Sequence, residues 1–193
     1  MSPRIGLTAD RITAAAADLA DEIGLDKVTL SAVARKFGVK DPSLYAHVRN
    51  LQDLRVRVAL LASAEMADRI ALAVAGRSGR EALVGFAGAY RGYVLDHPGR
   101  YAATQIRMDP AEVSDHPAFL RTIELTTALL RGYGLEEPAA TDAVRLLRST
   151  FHGFATLEAA GGFAHSRPTD TSWEIIVDAL HGTLEHWRQE RNQ

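Results

Sequence analysis

The stretch LSAVARKFGVKDPSLYAHVRN, residues 30–50, decides the fold of this 193-residue chain. Its first eight residues carry an apolar helical face, and Gly38 ends that helix because glycine readily adopts the left-handed backbone of a helix terminus. Asp41 and Pro42 then begin a second short helix, with a carboxylate at the cap and proline at the first helical position. Two short helices joined by a tight turn predict a helix-turn-helix.

The second short helix has an apolar side and a polar side. Leu44 and Val48 are its apolar positions, and we expect them to dock it on the preceding helices, with Val39 filling the gap at the turn. The residues that point outward are Pro42, Ser43, Ala46 and His47, with Lys40 at the entry of the helix and Tyr45 on its flank. A helix of this size fits the DNA major groove, about 12 Å wide, so the polar side predicts contacts with phosphates or base edges. On the helix pattern alone, a three-helix subdomain with a solvated outer face remains an alternative.

Asp41 is the odd residue in this stretch, because it places an anion where the polar side would face DNA. Its role as the cap of the helix explains it better than base reading does. A carboxylate can nevertheless accept a hydrogen bond from the amino group of cytosine.

The rest of the chain has helical patterns only. Thr8 caps a predicted helix over 9–24, and Asn50 caps a long helix that follows it directly. Further helices are predicted over residues 80–96, 99–107, 117–133, 138–160 and 173–190, with loops at 75–81, 108–117 and 164–172. No run alternates like a strand, so the predicted class is all-α. We place a domain boundary near residue 55, with a helix-turn-helix domain over 1–55 and a second helical domain over 56–193.

Composition and charge exclude several classes of protein. The chain contains no cysteine, which excludes disulfides, thiolate metal sites and a cysteine nucleophile. The net charge is −2, yet residues 1–57 carry nine basic against seven acidic side chains, and a mildly positive head on an acidic body favours an anionic partner for the head. No apolar run resembles a signal peptide or approaches the roughly 20 residues of a membrane span, so we expect a cytoplasmic protein without a membrane partner.

Residues 8–55 resemble the N-terminal domain of the tetracycline-repressor (TetR) family of bacterial regulators. The chain reads VTLSAVARKFGVKDPSLYAHVRNLQDL where the family has its helix-turn-helix, and the similarity covers about a quarter of the sequence. The matching positions are Thr29, Ala34, Gly38, Val39, Pro42, Leu44, Tyr45, His47, Val48 and Leu54. The helical remainder also has the length that the family shows, so the resemblance implies a DNA-binding transcriptional regulator.

The resemblance implies roles for individual positions. The implied DNA-binding residues are Thr29, Ser31, Lys40, Asp41, Pro42, Ser43, Tyr45, His47 and Arg49. The first two would lie at the DNA backbone or nearby bases, the next four would form the base-reading end, and Tyr45 and His47 would contact phosphates. Two positions depart from the family pattern: Leu51 replaces a common lysine, for which Arg49 is a substitute, and Ala46 replaces a bulky aromatic residue of some relatives.

The resemblance also implies that the C-terminal helices form a dimer and a ligand pocket. Phe151, His152 and Gly153 resemble an aromatic-His-Gly motif of one branch of the family, and the glycine allows close helix–helix approach. The expected dimer contacts, which would equally suit the core of one chain, are Phe151, Phe154, Leu157, Ile176, Leu180, Leu184 and Trp187. The candidate pocket residues, which would suit an apolar or aromatic ligand unless they are plain core, are Phe86, Tyr90, Tyr93, Tyr101, Met108, Phe119 and His152.

These features predict a homodimeric, ligand-responsive transcriptional repressor that binds near-palindromic double-stranded operator DNA and is released by a small-molecule effector. A ligand-binding or scaffold protein with weakened DNA binding is the alternative. We expect no enzyme activity, catalytic residue, metal or cofactor. His181 and Glu185 stand one helical turn apart as a possible metal pair, with His186 beside them, but no further ligand occurs at a useful spacing.

Overall fold

The computed structural model describes residues 6–190, apart from the side chains of residues 112 and 188–190. No strand occurs in this part of the chain, which confirms the predicted all-α class. The helices are α1 (Ala9–Ile23), α2 (Leu30–Phe37), α3 (Leu51–Val74), α4 (Gly79–Asp96), α5 (Pro98–Ala103), α6 (Pro110–Val113), α7 (Pro117–Gly132), α8 (Ala139–Ala159) and α9 (Thr169–Glu190). Two 3₁₀ turns span Leu25–Lys27 and Asp41–Ser43. None of the helices within residues 6–190 combines the length and the apolarity that crossing a membrane requires.

Side-chain caps and a glycine set the helix ends around the helix-turn-helix. The Thr8 hydroxyl accepts a hydrogen bond from the Arg11 amide at 3.3 Å, and the Asn50 side chain accepts one from the Asp53 amide at 2.8 Å. Gly38 ends α2 with a φ of 65°, a left-handed conformation that favours glycine. The predicted starts of α1 and α3 and the predicted end of α2 are therefore confirmed.

Four segments differ from the prediction, and one of them is α5, which ends at Ala103 although a helix is predicted as far as residue 107. Residues 41–48 form a 3₁₀ turn followed by further turns rather than a third α-helix, because so short a segment gains few helical hydrogen bonds for the backbone that it orders. The predicted loop at 108–117 contains the single-turn helix α6, where Asp109 accepts a hydrogen bond from the Ala111 amide at 3.0 Å. Helix α9 begins at Thr169, four residues earlier than predicted, so the preceding loop is shorter.

The chain divides into two compact units, and the first contains the residues up to 65 together with 97–119. The core of this first unit includes Ile12, Ala16, Val33, Leu44, Val48, Leu54 and Ala103. Because α5 packs on α1 and places Ala103 in this core, the unit extends beyond the boundary predicted near residue 55. The division of functions at residue 55 stays a prediction, and the compact units follow a different boundary.

The second unit contains residues 66–96 and those from 120 onward, and within it α4 packs against α8 and α9. Its buried residues include Leu83, Phe86, Tyr93, Leu147, Phe151, Trp173 and Leu184. Aromatic rings meet at its centre, where the Phe151 ring centroid lies 5.6 Å from those of both Tyr90 and Trp173. Tilted ring pairs of this kind stabilise a core beyond the contribution of their buried area.

Candidate nucleic-acid interface

We call residues 40–48 the recognition segment, because it carries the polar side that the sequence predicts to face outward. Its first half is closed by hydrogen bonds from the Ser43 and Leu44 amides to the carbonyls of Lys40 and Asp41, at 2.9 and 3.0 Å. Its second half is closed by two further amides that both bond to the Leu44 carbonyl. The segment is thus a compact series of turns with a single bond of the α-helical type in its second half.

Burial divides the recognition segment into an inner and an outer side. Leu44 is fully buried and Val48 is 3% exposed, so these two residues dock the segment in the core of the first unit, as predicted. The outer residues are Lys40, Pro42, Ser43, Tyr45 and Ala46, which are exposed, and His47, which is half-buried. Tyr45 is 57% exposed, which leaves its ring and hydroxyl available to a phosphate.

Asp41 is not the helix cap that the sequence predicts. Lys40 occupies the cap position of the 3₁₀ turn, and no side chain accepts a capping hydrogen bond there. The Asp41 carboxylate instead accepts a hydrogen bond from the Ser31 hydroxyl in the first turn of α2. The prediction is wrong because the turn already includes Asp41, so its carboxylate bonds to a neighbouring helix rather than to its own.

Thr29 and Ser31 lie together at the start of α2, and both are exposed. The Thr29 Oγ1 atom caps α2 by accepting a hydrogen bond from the Ala32 amide at 3.1 Å. The Thr29 hydroxyl proton can therefore still be donated to a phosphate, while the Ser31 hydroxyl donates to Asp41. Each of these two predicted DNA contacts also has a local structural role.

Asp53 organises the basic residues at the start of α3. Its carboxylate accepts a hydrogen bond from the Arg49 amide at 2.8 Å, and the guanidinium groups of Arg49 and Arg57 lie 3.4 and 3.3 Å from it. Burial acts to raise the pKa of Asp53, but the Arg49 amide and the Arg57 charge bring it below its ordinary value of 3.8. The Arg49 side chain is 73% exposed and so accessible to a phosphate. Sequence reasoning missed Asp53, although the spacing of Asn50 and Asp53 resembles a capping box and would have indicated it.

The residues predicted for one ligand pocket are divided between the two units. Those in the second unit are Phe86, Tyr90, Tyr93 and His152, and those in the first are Tyr101, Met108 and Phe119. Tyr101 is 2% exposed, and Met108 packs against the core of the first unit. A surface cavity of about 560 Å³ in the first unit is lined by α1, the turn after it and residues 98–106, and it includes none of the predicted pocket residues. Spacing along single helices could not show that the predicted pocket residues belong to different units, because it does not indicate which helices pack together.

Arg91 forms an ion-pair cluster beside the aromatic core of the second unit. It pairs with both oxygens of Glu158, at 2.5 and 2.6 Å, and lies 2.7 Å from Asp170. Its guanidinium carbon is 5.8 Å from the Phe154 ring centroid and 5.6 Å from that of Trp173. The hydrogen bond with Glu158 raises the pKa of Arg91 and lowers that of Glu158. Sequence reasoning missed this cluster because Arg91 and Glu158 lie 67 residues apart.

Most of the predicted dimer contacts belong to the core of one chain. The buried members, which have at most 9% of their surface left for a partner, are Phe151, Phe154, Leu180 and Leu184. This corrects the prediction: these side chains pack inward because α4, α8 and α9 form one core. Leu157 is 52% exposed, and Ile176 and Trp187 are half-buried, so these three remain accessible. Ile175, which the sequence pattern did not single out, is 56% exposed.

The possible metal pair at His181 and Glu185 takes part in a polar contact inside the second unit. The Tyr133 hydroxyl lies 2.9 Å from the Nδ1 atom of His181, and the Glu185 carboxylate lies 3.6 Å from Nε2. Burial, followed by the charge of Glu185, raises the pKa of Tyr133 to about 12, against an opposing effect of Arg80. Across the described residues, no three histidine or carboxylate side chains group as metal ligands.

Two protein families match this chain. Residues 12–58 match the family described as "Bacterial regulatory proteins, tetR family", and residues 83–180 match the "Tetracyclin repressor-like, C-terminal domain". The first match contains the whole recognition segment, and the second covers about half of the chain.

Relatives of known sequence and of known structure agree with these matches. The HTH-type transcriptional regulator YobS of Bacillus subtilis is 38% identical over 168 residues, which cover 84% of this chain and 85% of YobS. An HTH-type transcriptional regulator of Mycobacterium tuberculosis is 35% identical over 156 residues, covering 80% of this chain and 72% of that protein. Among solved structures, apo ActR of Streptomyces coelicolor superposes with a TM-score of 0.76 at 23% identity, covering 99% of each chain. This last likeness concerns the fold.

Proposed function

Since this chain belongs to the tetR family of bacterial regulatory proteins, a family of transcriptional regulators, we propose that it acts as a homodimeric repressor that a small-molecule effector releases from DNA. The observation that carries the proposal is the recognition segment, whose polar outer side is exposed while Leu44 and Val48 hold its inner side in the core. Two such segments, one from each protomer, would enter successive major grooves of a near-palindromic operator about one helical turn apart.

The exposed groups of the first unit divide into phosphate contacts and base contacts. Lys40 and Arg49 supply exposed cations at the two ends of the recognition segment, and Tyr45 supplies an exposed hydroxyl between them. These would position the protein on the phosphate backbone, which supplies most of the affinity. Pro42 and Ser43 are short and exposed, so they would let the backbone of the segment approach base edges.

The test is the affinity of a Lys40→Ala/Tyr45→Ala double variant for the DNA upstream of the protein's own gene. We expect affinity to fall by about tenfold or more, and the slope of log affinity against log salt to fall by about one, because one phosphate-binding cation is lost. Lys27→Ala is the matched control, since Lys27 is an exposed lysine of the same unit outside the recognition segment. Unchanged affinity in the double variant would remove the segment from the interface. A wild-type protein that binds no genomic fragment would favour the alternative of a ligand-binding protein with weakened DNA binding.

The proposed homodimer would use the exposed apolar surface of α8 and α9. Leu157 and Ile175 are 52% and 56% exposed, and covering them with a second copy is favourable at about 25 cal/mol per Å² of apolar surface. Light scattering at micromolar concentration should give about twice the chain mass of 20.9 kDa. Leu157→Asp should lower this mass, whereas Leu72→Asp, at an exposed leucine of α3, should not. A wild-type mass near 20.9 kDa would contradict the dimer.

The proposed effector site lies in the second unit, beside Phe86, Tyr90 and His152. Two proteins of similar fold have been solved with small molecules bound. One is a TetR variant of Acinetobacter baumannii in complex with minocycline, which has a TM-score of 0.73 and 22% identity and covers 95% of this chain and 99% of that one. The other is ActR in complex with (S)-DNPA. The aromatic core of this chain's second unit favours an apolar or aromatic effector.

Tryptophan fluorescence offers a direct test of the effector site. Trp173 packs against Phe151, and Trp187→Phe would leave Trp173 as the single tryptophan of the chain. We expect a true effector to change the emission of this variant and to lower operator affinity over the same concentration range, because the two binding events are linked. A compound that changes the emission without any effect on operator affinity would not be an effector.

A further inference from the structure

We propose that Asp41 is a positioning residue, whose carboxylate accepts the hydrogen bond of Ser31 and thereby holds the recognition segment on α2 in the orientation that reads the operator. This inference deepens the proposed function and rests on it. It also replaces the role of helix cap, which the structure assigns to no side chain at this turn.

The recognition segment is anchored in the core by one of its halves. Its two buried side chains, Leu44 and Val48, both lie in its second half. The first half, residues 40–43, exposes Lys40, Pro42 and Ser43 and contributes no buried side chain to the core. The hydrogen bond from Ser31 to Asp41 is a side-chain contact that ties this first half to α2.

The partner of Asp41 is a residue of α2. Ser31 is the second residue of α2, a helix that is capped by Thr29 at one end and ended by Gly38 at the other. Val33 and Ala34 anchor α2 in the core with at most 1% of their surface exposed. The hydroxyl of Ser31 therefore extends from a fixed helix, and a bond to it transfers that fixed position to the first half of the recognition segment.

The negative charge of Asp41 also affects the binding of DNA. A carboxylate beside a DNA-binding surface repels phosphates, so Asp41 weakens binding unless it compensates by another contribution. Three roles of Asp41 would give different results when Asp41 or Ser31 is substituted. A positioning role depends on the hydrogen bond with Ser31, a base-reading role depends on Asp41 alone, and a purely electrostatic effect depends on the negative charge alone.

The experiment measures specific and non-specific DNA affinity for Ser31→Ala, Asp41→Ala, Asp41→Asn and the Ser31→Ala/Asp41→Ala double variant. We expect each alanine variant to lose about three- to tenfold in operator affinity, the effect of one hydrogen bond. The double variant should lose no more than either single variant, because both remove the same bond. Asp41→Asn should retain most of the affinity, since its amide oxygen still accepts from Ser31. Affinity for unrelated DNA should stay the same in Ser31→Ala and rise slightly in the Asp41 variants, which lose a negative charge, whereas a general loss of folding would lower it in every variant.

Hydrogen exchange in the DNA-free protein tests the same bond without any operator. The Ser43 and Leu44 amides donate to the carbonyls of Lys40 and Asp41 in the first half of the recognition segment. They should therefore exchange faster in both alanine variants and at the wild-type rate in Asp41→Asn. Thermal unfolding of every variant serves as the folding control. If the wild-type protein binds no operator, the proposed function is wrong. The exchange rates would then still show whether the bond between Ser31 and Asp41 holds the recognition segment.

Three results would overturn the positioning role. Tighter operator binding by both Asp41 variants would show that only the negative charge matters. A changed preference at a single base pair in Asp41→Ala but not in Ser31→Ala would make Asp41 a base reader. Additive losses in the double variant, with unchanged exchange at Ser43 and Leu44, would show that Ser31 and Asp41 act independently.

Discussion

Gly99 in α5 is a position where one added methyl group should disrupt the packing of the first unit. A Cβ atom at Gly99 would overlap the carbonyl group of Ala20 in α1 and lie 2.5 Å from the amide nitrogen of Asp21. Real Cβ atoms essentially never approach another heavy atom closer than 3.0 Å, and the obstructing atoms are backbone atoms that cannot rotate away. Gly99→Ala therefore requires α5 to move off α1.

The magnitude follows from the contacts that this movement weakens. The Arg100 amide donates a hydrogen bond to Asp21 at 2.8 Å, and the Arg100 guanidinium pairs with Asp18 and Glu65. Overpacking a core by one methyl group costs about 1–3 kcal/mol, and weakening one hydrogen bond to a carboxylate adds about 1 kcal/mol. We therefore expect Gly99→Ala to lower the free energy of unfolding of the first unit by about 3 kcal/mol.

Urea unfolding followed by both far-UV circular dichroism and tryptophan fluorescence would measure this loss. Both tryptophans, Trp173 and Trp187, lie in the second unit, so fluorescence reports that unit and the difference between the two signals reports the first. Gly88→Ala is the matched control: nothing lies within 4 Å of its Cβ position in α4, so helix propensity should stabilise the protein by about 0.5–1 kcal/mol. A loss below about 1 kcal/mol for Gly99→Ala would refute the close packing of α5 on α1.

Three further substitutions test other contacts by unfolding. Leu44→Ala should lower the free energy of unfolding by about 3 kcal/mol because the side chain is fully buried, and an unchanged urea midpoint would contradict the docking of the recognition segment. Arg91→Met should cost about 3 kcal/mol because it leaves the largely buried Glu158 carboxylate without its partner, and adding Glu158→Gln should restore part of that stability. Folded Tyr133 has a pKa of about 12 against an ordinary value of 10.0, so its contribution to stability is complete below pH 10 and is lost as the pH rises to 12. Between pH 10 and 12, the free energy of unfolding of Tyr133→Phe should therefore fall by about 2 kcal/mol less than that of the wild type. An equal fall in the two proteins would contradict this.

The parts of this fold that could be predicted from sequence are those that obey local rules. Thr8, Gly38 and Asn50 mark helix ends because a cap or a left-handed residue acts within its own turn. Leu44 and Val48 are buried as predicted because they stand one helical turn apart, and that spacing also applies to the compact turns that replace the helix. The outer residues of the recognition segment follow from the same spacing, so most of the candidate interface was accessible from sequence.

The parts that could not be predicted depend on contacts between residues far apart in the chain. Arg100 meets Asp18 and Asp21 across 82 and 79 residues, and no local pattern links them. The family resemblance places Phe151 at a dimer interface, although an apolar stripe on a helix suits a partner and a core equally well. Only the packing of α8 on α4 decides that it is core. The sequence assigns Asp41 to its own turn because aspartate is a favoured N-cap residue, whereas its partner Ser31 lies on another helix.

If the recognition segment binds DNA as proposed, the rest of the first unit takes part in that binding, because the segment has little regular structure of its own. A short series of turns would be marginal in isolation, so its conformation has to be imposed by neighbours. Leu44 and Val48 impose it from the core, and that same buried cluster contains Ala103 of α5. Ser31 imposes it from α2. Substitutions that weaken the packing of α5 or α2 should therefore lower operator affinity, because they displace Lys40 and its neighbours. This effect needs no change in a residue that contacts DNA.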